Sequence, residues 1–141
     1  MLNVGIVGAG IGGLTAGIML RSLGHKVTIF EKQSEFFSAG VGIQLSANAI
    51  RILRKFGLED KIVEIGNYPL SIECIKGNTG KKIVSIPLGK IAEKKFHAGF
   101  YQLHRGDLIS ILQKKNKEIG AIISYDSPIK NVKQGNSEVI L

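Results

Sequence analysis

The chain has 141 residues, 44% hydrophobic and 21% charged, a globular composition that supplies a core and excludes a disordered segment. The net charge is +8, but the lysines stand in short dispersed groups (Lys81-Lys82, Lys94-Lys95, Lys114-Lys115 with Lys117) that do not alternate with aromatics, so they read as solvated faces and argue against nucleic acid as a partner. A single cysteine, Cys74, excludes an internal disulfide and a cysteine metal cluster, and no apolar run approaches the roughly 18 residues of a membrane span. The start at Met1 carries no basic leader or cleavage site, so the expectation is a cytoplasmic protein with no membrane partner and no metal.

Val4, Gly5, Ile6 and Val7 form a short apolar stretch of the kind expected in a strand buried on both faces of a parallel sheet. The turn Gly8-Ala9-Gly10-Ile11-Gly12-Gly13 follows, and each glycine of the spaced set has its own physical task. Gly8 allows the tight turn, Gly10 lets backbone approach a pyrophosphate, and Gly13 lets the next helix lie close to the strands. That helix is predicted from Ile11 or Gly12 to Leu23, with Leu14, Ile18, Met19 and Leu20 at apolar spacing and Gly24 as its stop. The free N–H groups at its start, around Ile11 and Gly12, point partial positive charge at whatever lies over the turn. Gly17 weakens the helix where Ala would not, which predicts a close neighbour.

A second strand, Lys26 to Phe30, ends in Glu31, 18 positions after Gly13 (31 minus 13), near the spacing of about 20 at which an acid meets an adenosine ribose. Strand, glycine turn, helix, strand and acid together predict a dinucleotide site. Glu31 also selects among dinucleotides, because a carboxylate accepts hydroxyl hydrogen bonds and repels a 2′-phosphate, favouring FAD or NAD over NADP. Lys32 beside it is either a ribose or adenine contact or a solvated side chain.

Gly40 and Gly42 lie in an extended stretch where backbone passes close to another group. Ser46 is placed to cap a helix carrying Ile50, Leu53 and Phe56 and stopped by Gly57, and Asn48 in its first turn either aims at a ligand or joins the cap. Leu58 to Ile65 reads as a further short helix ended by Gly66. The period then changes: Ser71 to Ile75 and Lys82 to Ile86 alternate around the turn Gly77-Asn78-Thr79-Gly80, which predicts a β-hairpin with one covered face, ended by Pro87 and Gly89. Cys74 falls at an ordinary strand position within it. Phe100 to Arg105 leads into a helix with Leu108, Ile109 and Leu112 on its apolar side, Ala121 to Tyr125 is a strand returning to the first sheet, and Pro128 to Gln134 with Glu138 to Leu141 opens another hairpin. The ending in apolar Val139-Ile140-Leu141 predicts a truncated chain with a missing C-terminal segment.

Three separated motifs carry a family resemblance: the glycine turn closed by Glu31, A-G-V-G-I-Q-L-S-A-N-A-I-R-I-L at 39 to 53, and Y-Q-L-H-R-G-D-L-I-S-I-L at 101 to 112. Together they resemble the FAD-dependent aromatic-ring hydroxylases, single-component flavin monooxygenases of the salicylate and para-hydroxybenzoate hydroxylase type, over the first third or so of such an enzyme. The chain departs from that pattern at Ala47, where proline is usual, and at Phe36-Phe37-Ser38, where an arginine is common.

The resemblance implies that Gly8, Gly10 and Gly13, with Ile11 and Gly12, cradle the FAD pyrophosphate and that Glu31 and Lys32 meet the adenosine. It also places Gly42 near the cofactor and Arg105, with Gln102 beside it, on the pyrophosphate and ribityl side, where a guanidinium offers a fixed fork of donors. Asp107 and His104 are expected to brace this helix start, and no residue is assigned catalysis, because the flavin carries the chemistry. The implied fold is α/β, a Rossmann-like FAD-binding fold with a mostly parallel sheet, plus the first β-hairpin of a second antiparallel sheet. The expected domains are 1–70 with 98–141 for FAD and 71–97 for the start of a substrate domain. The implied reaction hydroxylates a small aromatic substrate with NAD(P)H and oxygen. The alternatives are an FAD-dependent reductase or dehydrogenase of the same fold and a truncated, non-catalytic nucleotide-binding fragment.

Overall fold

The computed structural model describes residues 1–35, 40–136 and 138–140. Phe36 to Ala39, which include the start of the second motif, and Ser137 and Leu141 of the last hairpin lie outside the described residues. In chain order the elements are β1 (Asn3–Val7), α1 (Ile11–Ser22), β2 (Lys26–Phe30), β3 (Gly42–Leu45), α2 (Ala47–Lys55), α3 (Glu59–Ile65), β4 (Ser71–Ile75), β5 (Lys82–Pro87), α4 (Gly89–Phe96), β6 (Tyr101–His104), α5 (Arg105–Glu118), β7 (Ile122–Ser124), β8 (Lys133–Gln134) and β9 (Val139–Ile140). They fall into two compact units, Met1–Ala39 with Leu108–Leu141, and Gly40–Asp107.

The first unit holds a parallel sheet in the order β1-β2-β7, with Val4 opposite Val27 and Ile29 opposite Ile123. Its core is Leu14 and Ile18 of α1, Val27 and Ile29 of β2, and Leu108 and Leu112 of α5, all buried. Burial of each such side chain contributes about 1.5–3 kcal/mol, which is why the apolar spacing of α1 specifies its inward face. Gly24, at φ 84°, ends that helix as its position predicts, and Met19 faces out.

One expectation fails here. β1 is not buried on both faces: Val4 and Ile6 are half-buried, whereas Val7 is 60% exposed. The reason is topological, since among the described residues β1 pairs with β2 alone, and the central, covered position belongs to β2. The returning strand predicted from Ala121 to Tyr125 is β7, parallel to β2. The last predicted hairpin is present as the short pair β8 and β9.

The second unit packs Leu45, Ile50, Leu53, Leu58, Ile62, Tyr101 and Leu103 into its core. The alternating stretches form the antiparallel hairpin β4–β5, with Ile72 opposite Ile86, Cys74 opposite Val84 and a register shift between Cys74 and Ile75, but the expected covered face is absent: apolar residues on both sides are exposed, because no described element packs over the hairpin. β3 and β6 form a second antiparallel pair, with Gly42 opposite His104. That pairing and α4 were not legible in the sequence. Four-residue strands carry too few alternations to show a period, and α4 begins at Gly89, read as a terminator, which here takes φ 54°. Ser46 occupies the N-cap of α2 as predicted, but makes no side-chain cap; its hydroxyl donates to Asn48 Oδ1 instead.

Candidate dinucleotide site

The glycine turn is built as its sequence demands. Gly8 takes φ 99°, a region that L side chains rarely adopt, and its N–H donates to the Phe30 carbonyl at 2.7 Å, tying the end of β1 to the end of β2. A Cβ on Gly13 would lie 2.0 Å from the Gly8 carbonyl oxygen, so only glycine lets α1 start this close to the turn. Around Gly10 and Gly12 the situation is the opposite: a Cβ there would meet nothing within 4 Å. Those two positions face open space.

The N-terminus of α1 is left uncapped. Gly10 is the N-cap without any side-chain hydrogen bond, and no acidic residue stands in the first turn. The first bond of the helix runs from Leu14 N–H to the Gly10 carbonyl at 2.9 Å, which leaves the N–H groups of Ile11, Gly12 and Gly13 without a helical acceptor. An uncapped start with free donors and partial positive charge suits an anion.

Glu31 is fixed by backbone on both sides: its N–H donates to the Ser124 carbonyl at 2.8 Å, and its carbonyl accepts the Ser127 N–H at 2.8 Å. Its carboxylate accepts the Ala9 N–H on one oxygen at 2.7 Å and the Gln33 N–H on the other at 2.9 Å. Partial burial alone would raise its pKa, but donation from the Gln33, Ala9 and Lys32 backbone and the nearby Lys32 charge outweigh it and hold the group below its ordinary value. A carboxylate has about four lone-pair sites, more than its backbone donors use, so acceptor capacity remains on it. Beside it lies a cleft of about 250 Å³, with Val7, Phe30, Pro128 and Ile129 as apolar walls and Glu31, Lys32 and Ser127 at polar positions.

Lys32 therefore lines the site with an exposed side chain. The wall from Ser127 to Ile129 was missed from sequence, because it enters through the turn after β7. A larger cleft of about 800 Å³ runs along β1 toward Gln134 and Val139, but Glu138 is its one ionisable lining residue and no set of donors converges there. The site is better assigned by the turn and the acid.

The second unit holds the other three predicted residues. Gly42 pairs with His104, and a Cβ on it would meet nothing within 4 Å, so the expected close approach does not hold at this glycine; at Gly40 it does, since a Cβ there would lie 2.5 Å from His104 Nε2. Gln102 exchanges both backbone hydrogen bonds with Asn67, and its side-chain oxygen accepts from Asn67 Nδ2 at 3.2 Å. Arg105 N–H donates to the Val41 carbonyl at 2.9 Å, while its guanidinium has no hydrogen bond or ion pair among the described residues. His104 Nδ1 accepts the Gly106 N–H at 3.3 Å, a bracing role for that imidazole. Within this unit the β3–β6 pair brings Gly42, Gln102 and Arg105 onto neighbouring segments.

Among the described residues no group of three or more His, Cys, Asp or Glu side chains is placed to hold a metal, and no helix is long and apolar enough to cross a membrane. A parallel sheet, a glycine turn at an uncapped helix start and an acid ending the next strand define a dinucleotide-binding α/β unit. The particular family follows from comparison: the FAD binding domain family matches residues 1–139, and the chain belongs to it.

The chain is 30% identical over 139 residues to 6-hydroxynicotinate 3-monooxygenase of Pseudomonas fluorescens, covering 99% of this chain and 36% of that enzyme. It is 35% identical over 123 residues to 3-amino-4-hydroxybenzoate 2-monooxygenase of Streptomyces cremeus, covering 84% of this chain and 31% of the enzyme. Among solved structures, the complex of CtdE with FAD and substrate 4 superposes with a TM-score of 0.86 at 25% identity, covering 99% of this chain and 33% of that one. The chain thus spans about a third of the length of the relatives it matches. The residues present fit FAD: glycines open to space and free N–H groups at an uncapped helix start suit a diphosphate, and a carboxylate with acceptor capacity left stands beside a partly apolar cleft.

Proposed function

We propose that this chain is the FAD-holding portion of a flavin-dependent monooxygenase that hydroxylates a small aromatic substrate with NAD(P)H and oxygen. The observation that carries it is the Glu31 carboxylate, held by Ala9 and Gln33 at the mouth of an uncapped glycine turn, in a chain whose relatives bear the names of hydroxybenzoate and hydroxynicotinate monooxygenases. Gly8, Gly10, Ile11, Gly12 and Gly13 receive the pyrophosphate, Glu31 and Lys32 the adenosine, and Arg105, with Gln102 and Gly42, the pyrophosphate and ribityl side. Once bound, the flavin supplies the redox and oxygen chemistry, and these residues bind and orient it. The β4–β5 hairpin, within 71–97, opens the substrate domain in this reading, which fits a hairpin whose apolar Ile72, Val84 and Ile86 are 41–51% exposed. A cytoplasmic location fits a chain whose one cysteine, Cys74, is unpaired and exposed.

The test is direct. The purified chain is expected to take up FAD and show flavin absorbance, while NADPH oxidation with hydroxylated product requires the remaining two-thirds of the enzyme supplied alongside. A chain that takes up no added FAD refutes autonomous cofactor binding; flavin-bound protein that passes electrons to an artificial acceptor and never hydroxylates when completed supports a reductase instead.

A further inference from the structure

Asn116 is the one fully buried polar side chain among the described residues, at 0% exposure, in a core otherwise made of Leu14, Ile18, Ile29 and Leu112. Its Nδ2 donates twice, to the Leu14 carbonyl of α1 and to the Leu112 carbonyl of its own helix, both at 2.9 Å. Its Oδ1 has no hydrogen-bond partner among the described residues. That oxygen fills the space left by Gly17: a Cβ there would lie 2.5 Å from Oδ1 and 2.8 Å from Ile29 Cδ1, which accounts for the helix-weakening glycine in mid-helix.

An orphaned amide oxygen in an apolar core costs stability that an apolar side chain of similar volume would avoid. What the amide supplies is direction. The hydrophobic effect is non-directional, whereas a hydrogen bond is made to one particular carbonyl in a set geometry. The carbonyl it holds belongs to Leu14, immediately after the free N–H groups of Ile11, Gly12 and Gly13. At the other end of α1, Arg21 donates to the Ile119 carbonyl through Nε at 3.0 Å and Nη2 at 2.9 Å. Polar bonds to α5 and the residue just beyond it therefore pin α1 at both ends.

Resting on the FAD reading above, we propose that Asn116 is a positioning residue for the phosphate-binding turn. It holds the first turn of α1 so that its free N–H groups meet a diphosphate, from a position 102 residues away in the chain. Adenosine, which engages Glu31 and its cleft, does not depend on this bond.

The experiment compares ADP and adenosine binding to the 141-residue chain by NMR titration in wild type, Asn116→Leu and Asn116→Ala, well below each melting temperature. Both variants are expected to fold, with the ADP dissociation constant raised about tenfold and that for adenosine within about twofold of wild type. An unchanged ADP-to-adenosine ratio in a folded variant overturns the proposal, because a purely structural asparagine would lower stability and leave the ratio alone. Failure of both variants to fold also overturns it, by showing the amide is kept for stability. Wild-type protein that binds neither ligand refutes the cofactor reading itself.

Discussion

Replacing Gly13 by alanine puts the sharpest demand on the site. The new Cβ would lie 2.0 Å from the Gly8 carbonyl oxygen, and ordinary contact begins at 3.4 Å, so the start of α1 and the turn must part by about 1.4 Å (3.4 minus 2.0). The closest group is the Gly8 backbone carbonyl, which no side-chain rotation can move aside. Ile6 Cγ2, at 3.3 Å from the same point, closes the other side. Overpacking of this kind costs about 1–3 kcal/mol, and the rigidity of the turn places Gly13→Ala at the upper end. If the turn stays put, the loss appears as a fall in melting temperature of about 6–12 °C, at about 2–4 °C per kcal/mol for a chain of this size. If the turn yields, the loss appears in FAD affinity, where about 3 kcal/mol is roughly a hundredfold.

The assay is flavin fluorescence quenching against FAD concentration, with thermal melts of the same preparations. Gly77→Ala is the control, since a Cβ there meets nothing within 4 Å and the residue lies in the turn between β4 and β5, outside the proposed cofactor residues. Gly13→Ala protein that melts with wild type and binds FAD equally well would refute the close approach of helix and turn.

Other outcomes test separate parts of the site. Because Glu31 is held below its ordinary carboxyl value of 4.5, its stabilisation is complete above pH 4.5 and is lost as pH falls through the lower folded value. The melting-temperature gap between wild type and Glu31→Gln should therefore close on acidification from pH 6 to 3, and a gap constant over that range would contradict the carboxylate's bonds to Ala9 and Gln33. Arg105→Ala is expected to weaken FAD binding by about tenfold or more, the worth of a charged hydrogen bond, with little change in melting temperature; equal FAD affinity removes Arg105 from the site. Burial, aided by a 2.8 Å bond to Glu93, pushes the Tyr68 phenol up to about 12. Burial raises Tyr101 and Tyr125 as well, so a phenolate absorbance titration should run late as a whole, with its last transition moving down in Glu93→Gln; superposable curves for the two proteins would rule out that bond.

Local chemistry made much of this protein legible in its sequence. Glycines that must take positive φ or exclude a Cβ, as at Gly8 and Gly13, leave a signature because no other residue substitutes at low cost. Alternation marked the β4–β5 hairpin, although neither of its faces is covered, and helical spacing marked α1 and α2, where the pattern reports which side meets the core. Glu31 was legible because the end of β2 lies a fixed chain distance from the turn.

What only the tertiary structure decided was everything that depends on which segments become neighbours. β1 reads as a buried strand by composition, yet its burial depends on how many strands flank it, and among the described residues only β2 does. The Ser127 to Ile129 wall joins the site through the pairing of β7 with β2, which no local pattern announces. Asn116 looks like one more polar residue in a lysine-rich helix end. Its meaning comes from Gly17 and Leu14, about a hundred residues earlier, because a buried amide is specified by the groups that surround it and not by its own neighbours in sequence.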